Sequence, residues 1–228
     1  CVLRLFTAPL CDAVTGQVGS ARGMLEQLER QNLFLIALDD RRQWYRYHHL
    51  FSDVLLAHIP ALEQQTLSGI HRRASEWFED NGERAEAIHH AIASGDFAWA
   101  AELLERDIPA MRKDRKEAQF RNWLKAIPDE VMRARPLLLL AHVGVLVSLG
   151  EFDGVQERLD AVESLLSRLQ SRDGYLVHVE LYRTALAQAR GDLTAAEHHA
   201  SRVLEIAPPD EPLGRAGAAG FLGIVSWS

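Results

Sequence analysis

The side chains best placed for chemistry lie in Trp44-Tyr45-Arg46-Tyr47-His48-His49-Leu50-Phe51-Ser52-Asp53-Val54-Leu55, where a short extended run turns into an amphipathic helix at paired histidines. An imidazole at such a junction can cap the helix and fill the corner it makes with the strand. It can also donate a hydrogen bond to a phosphate and, when charged, add Coulomb attraction. Two further pairs, His89-His90 and His198-His199, raise the question of a metal. Adjacent residues on a helix point about 100° apart, so each pair offers one ligand per face rather than the one-face spacing of a helical zinc motif. No metal site is expected. The basic cluster Arg112-Lys113-Asp114-Arg115-Lys116 contains an acid, precedes Glu117 and has no interleaved aromatic residues for base stacking, so it reads as a solvated loop between helices. There is no phosphate-binding glycine loop with lysine, no nucleophile elbow and no Cys-x-x-Cys pair, so no catalytic residue is assigned.

These residues need elements to hold them. Ala8 to Val14 reads as a short helix ended by Thr15-Gly16, and Ser20 is suited to cap a second helix over Ala21 to Gln31, with Met24, Leu25 and Leu28 on one face. The period then changes. Leu33 to Leu38 is a compact apolar run, Asp39-Asp40-Arg41-Arg42 is turn material, and Trp44 to Tyr47 is aromatic, which together predict a hairpin. Helix, helix, hairpin, helix is the outline of a winged helix. Its second helix carries Arg22, Glu26, Glu29 and Arg30, a mixed-sign surface that argues against direct groove binding to DNA.

From Pro60 onward the periodicity is helical. Leu67, Ile70, Ala74, Trp77 and Phe78 make one stripe that stops at Asn81-Gly82. Helices are then expected over Ala85 to Ser94, Phe97 to about Arg112, from Pro128 and Pro136, over Glu151 to Ser171, Tyr175 to Ala189 and Asp192 to Ile206, with a Gly/Ala-rich final segment. The phrases Gly95-Asp96-Phe97, Gly150-Glu151-Phe152 and Gly191-Asp192-Leu193 each set a glycine stop before an acid and a large apolar anchor. The last, continued by Ala196, Ala200, Val203 and Pro208, resembles the second half of a tetratricopeptide repeat. The expected fold class is mainly α: a winged-helix module at 1–58, then an irregular α-solenoid of antiparallel helix pairs at 59–228.

Tyr47-His48-His49-Leu50-Phe51-Ser52-Asp53-Val54 resembles the histidine motif in the winged helix of STAND nucleotide-switch ATPases. The commoner form there is apolar-His-Asp-Leu, and here His49 stands in the Asp position. The His-His-Leu-Phe form resembles the MalT-like branch of LuxR-type transcription regulators, as do Trp77 to Gly82 with Ala85 to Ala91, and Trp123 to Pro128. The resemblance implies that His48 contacts the β-phosphate of ADP and holds the resting state closed. It implies ADP or ATP in the parent protein, an upstream ATPase domain as intramolecular partner, and DNA contact only through a downstream helix-turn-helix. The repeats would sense a small-molecule effector or bind a regulatory protein.

The totals agree with a globular chain of this kind. The 228 residues are 47% hydrophobic and 25% charged, and a formal net charge of -7 disfavours a grip on phosphate backbones. Two cysteines, Cys1 and Cys11, fit a reducing, cytoplasmic setting, and no apolar run reaches membrane-spanning length. The sequence starts with Cys1 and stops within a helical pattern, which reads as an internal fragment. The rival reading is a tetratricopeptide-type scaffold for protein partners, with residues 1–58 as an unrelated cap.

Overall fold

A computed structural model describes residues 3–48, 51, 64–167, 173–209 and 212–225. The fold is mainly helical, a winged helix followed by helical repeats. Internal contacts divide the chain into two compact units, 1–103 and 104–228. The boundary expected at 58/59 lies among residues 52–63, outside the described residues, as does Pro60.

The first unit opens with α1 (Ala8–Thr15) and α2 (Ala21–Arg30). Thr7 is in the extended region and its Oγ1 accepts the Leu10 amide at 3.2 Å, while Pro9 sits in the first turn, where its missing donor costs nothing. The expected cap of α2 is different. Ser20 has helical dihedrals, which carry its hydroxyl away from the free amides of the first turn. Asp12 takes the role from across the turn, its carboxylate accepting from Gly19 N and Ala21 N at 2.9 Å each. Strand β1 (Leu35–Ala37) pairs antiparallel with β2 (Tyr45–Tyr47) in the register Leu35↔Tyr47, Ile36↔Arg46, Ala37↔Tyr45. Phe6 adds a bridge to Tyr45 on the outer edge of β2.

The strand expected from Leu33 starts later because Leu33 closes the helix before it. Asn32 is left-handed at φ 52° and donates to Glu29 O, and Leu33 N donates to Leu28 O, a helix-ending pair of bonds. The hairpin loop is tied by Asp39, whose carboxylate accepts from Gln43 N and, at 2.7 Å, Trp44 N. Those amides hold the Asp39 carboxyl below the usual carboxylate range.

Helices α3 (Gln64–Asp80) and α4 (Arg84–Ser94) pack as a hairpin, and α3 also packs on α1. Arg73 of α3 donates through Nε and Nη2 to Val14 O, one of the carbonyls left open at the end of α1. Ala74 and Phe78 of the expected stripe are buried, and Gly82 follows the helix with φ 78°. The boundary between the two units falls within α5 (Phe97–Asp114).

The second unit continues with α6 (Glu117–Leu124), α7 (Asp129–Arg133), α8 (Pro136–Ser148), α9 (Val155–Leu166), α10 (Asp173–Ala189), α11 (Leu193–Ile206) and α12 (Pro212–Val225). Helix α8 packs on α6, α7, α9 and α10, and α11 packs on α10 and α12. Val155, Leu159, Val162 and Leu166 of α9 are fully buried, one face at spacings of three and four. Leu169 and Ser171, expected in the same helix, lie outside the described residues. Polar ties join the pairs. Arg183 of α10 clasps the Glu163 carboxylate with two bonds of 2.8 Å, and Glu180 accepts from His199 of α11 at 2.7 Å.

Two expectations change here. Arg112 to Asp114 are the last turn of α5, and only Arg115, left-handed at φ 54°, and Lys116 separate it from α6. Helix α9 begins at Val155, four residues after the expected start. Asp96 and Asp192 do cap their helices, each accepting an amide at 3.0 Å (Trp99 N and Ala195 N). Glu151 caps nothing: its longer side chain pairs instead with Arg121 of α6, and left-handed Gly154 precedes the helix.

Candidate functional site

The structure places His48 at the end of β2, where its amide donates to Phe34 O at 2.8 Å and continues the hairpin ladder by one bond. Its carbonyl accepts from Phe51 N at 2.9 Å. The residue is half-buried. Aromatic rings fix the corner. Phe34 and Phe51 stack at 5.1 Å, Tyr47 lies 5.5 Å from Phe51, and Phe6 lies 5.1 Å from Tyr47. Such pairs add stabilisation beyond area alone, which suits a turn that must keep one geometry. His49 and Asp53, the other polar members of the motif, lie outside the described residues.

Phe34, whose carbonyl receives the His48 amide, has φ 55°. A bulky side chain in the left-handed region costs about 1 kcal/mol or more and persists where the surroundings impose it. The compact apolar run gave no sign of it. Phe34 is also 57% exposed, an aromatic ring held at the surface beside the histidine.

The other titratable groups near this module are quiet. Burial pushes the Cys11 thiol up to about 11, with Asp12 adding to the effect, so it is no thiolate nucleophile at neutral pH. Burial likewise raises Tyr47 and Tyr45. A cleft of about 530 Å³ in the same unit is lined by Thr7, Asp12, Arg22, Arg42, Trp44 and Trp77 among others, and His48 does not line it.

Residues 1–67 match the family described as the MalT winged helix domain. Among similar proteins are the serine/threonine-protein kinases PknK of Mycobacterium tuberculosis and Mycobacterium bovis, 34% identical over 140 residues, which is 60% of this chain and 12% of each relative. The chain thus spans about an eighth of the length of the curated relatives it matches. No solved structure matches it.

In each of the other two histidine pairs one ring is exposed and the other packs inward. His89 is exposed, while His90 is buried and shares a 2.7 Å Nδ1 to Nδ1 hydrogen bond with His71 of α3. Burial, then the neighbouring His71, His89 and Arg4, pulls the His90 pKa down to about 3. His71 lies three residues before Ala74 and seven before Phe78, so its place on the inward face was readable from spacing, although its partner was not. His198 is exposed and His199 faces Glu180. Among the described residues no group of three or more His, Cys, Asp or Glu side chains is placed to hold a metal ion, and no helix is long and apolar enough to cross a membrane.

Proposed function

We propose that this chain is the relay and sensing part of a MalT-like, nucleotide-dependent transcription regulator of the LuxR type that acts in the cytoplasm. In this reading the winged helix docks on an upstream STAND ATPase domain, and His48 touches the β-phosphate of bound ADP. The helical repeats, tetratricopeptide-like in design, bind a small effector or regulatory protein, and DNA is reached only through a separate helix-turn-helix. The observation that carries it is the placing of His48 within a MalT winged-helix match, at a corner locked by stacked rings and a left-handed Phe34. Leu33 and Phe34, exposed beside it, offer apolar surface for a domain to cover. Losing a contact made only in the closed state biases the equilibrium to the open one.

The test uses the full-length protein. His48→Ala is expected to lose co-purifying ADP and to raise activity without inducer. ADP retention equal to the parent protein's would overturn the assignment. A second output is favoured by the relatives' name: in a kinase-linked protein the same relay would govern a serine/threonine kinase rather than a DNA-binding domain. The scaffold reading differs from both in one respect, since its partner affinity has no reason to respond to ADP or ATP.

A further inference from the structure

The second unit contains a polar cleft of about 380 Å³ whose walls come from the end of α6 and from α7, α8 and α9. Its charged and titratable lining is Lys125, Asp129, Arg133, His142, Glu157 and Arg158. Three separate stretches of chain, 124–133, 139–142 and 157–158, supply it, so no local sequence pattern announces it.

Three of these groups lack the partners such groups usually have. Arg158 is half-buried, and its Nη1 donates to Gly154 O at 2.8 Å, which fixes the guanidinium. A side chain at position 154 would strike that guanidinium, and Gly154 at φ 69° leaves the space open. Yet among the described residues no carboxylate lies within ion-pair distance of Arg158 or of Lys125. The His142 ring is half-buried and makes no hydrogen bond among the described residues. Arg158 is thus a half-buried cation without an anion, which is costly unless something else supplies the charge, and the exposed Lys125 stands beside it in the same lining. The third cation, Arg133, is already paired with Asp129 at 3.6 Å.

We propose that this cleft binds a small phosphate dianion, free or as the phosphate ester of a small polyol, between Arg158, Lys125 and His142. Guanidinium presents a planar fork to phosphate and ammonium a point charge. The volume is within the about 300–1,000 Å³ usual for small-molecule sites. Asp129 and Glu157 at the rim are acceptors suited to hydroxyls of an attached polyol. The site stands whether or not the repeats belong to a nucleotide switch.

The lining of the cleft also sets the state of His142. Burial and then Arg158 pull its pKa down to about 4, with Lys125 acting the same way and Asp129 and Glu151 opposing. Glu151 is itself paired with Arg121. A bound dianion reverses the sign of the field at the imidazole, so binding draws in a proton and strengthens as pH falls.

The experiment is calorimetric titration of the 228-residue chain with inorganic phosphate and, separately, ribose 5-phosphate. A single saturable site for either probe is expected. Arg158→Gln should weaken it about ten-fold or more, the worth of one charge-assisted bond. Lys125→Gln, at an exposed position that does not support the fold, should weaken it several-fold. Sulfate, whose charge is constant over the range, should bind more tightly at pH 6 than at pH 8 and lose that dependence in His142→Gln. No saturable binding of either phosphate probe, or binding indifferent to both Arg158→Gln and Lys125→Gln, overturns the proposal. A pH-independent sulfate affinity in the unmutated chain contradicts the part given to His142.

Discussion

The pair His71–His90 predicts a specific loss of stability in mild acid. His90 is 3% exposed, stacks on Phe78 at 5.4 Å and 12°, and meets His71 through a single hydrogen bond that requires at least one neutral ring. Its folded-state pKa of about 3 lies below the ordinary 6.5. A base whose pKa falls on folding is protonated in the unfolded chain before the folded one, so acid favours unfolding. The effect is absent above the unfolded value, grows as pH drops below 6.5, and is complete only below the folded value. Each pH unit inside that window is worth up to about 1.4 kcal/mol. At pH 5, roughly 1.5 units into the window, His90 alone removes up to about 2 kcal/mol, a large fraction of the about 5–15 kcal/mol usual for a domain. His71, also lowered by burial, acts in the same direction.

Urea unfolding of the parent chain and of His90→Asn at pH 7 and pH 5 checks this. Asn keeps a polar atom near the Nδ1 position and does not titrate. Carboxylates and His142 contribute equally to both proteins, so the comparison isolates His90 together with its coupling to His71. The parent should lose about 2 kcal/mol more than the variant between the two pH values. Equal losses, or a His90 imidazole titrating near 6.5 by NMR, would refute the buried neutral pair.

Two other substitutions probe supports of the fold, one in each unit. Arg73→Ala leaves Val14 O without its two donors and should destabilise the first unit by about 1–3 kcal/mol, read by denaturant unfolding, while an unchanged midpoint would mean water replaces the guanidinium at no cost. Asp192→Ala removes the cap on Ala195 N and should cost about 1 kcal/mol, with amide exchange rising at the start of α11 and nowhere in the first unit.

The sequence by itself determined the element order, because apolar periodicity follows from the covalent repeat of helix and strand. Leu67, Ile70, Ala74 and Phe78 named the face of α3, Gly82, Gly95 and Gly191 named helix ends, and Asp96 and Asp192 named helix starts. Each is a signal confined to one turn of chain. It also set His48 where the hairpin ends, while the amphipathic helix expected to start there lies, apart from Phe51, outside the described residues. What tertiary structure decided are matters between distant residues. Asp12 displaced Ser20 as the cap of α2 because a carboxylate seven and nine residues away arrives better oriented than the local hydroxyl. Arg121 drew Glu151 out of a capping position thirty residues on, and Phe34 took a left-handed backbone where the compact apolar run read as strand. The meeting of His71 with His90, and of Lys125, His142 and Arg158 around one cleft, has no spacing to announce it. Periodicity fixes which side of an element faces inward, and only packing fixes what it meets there.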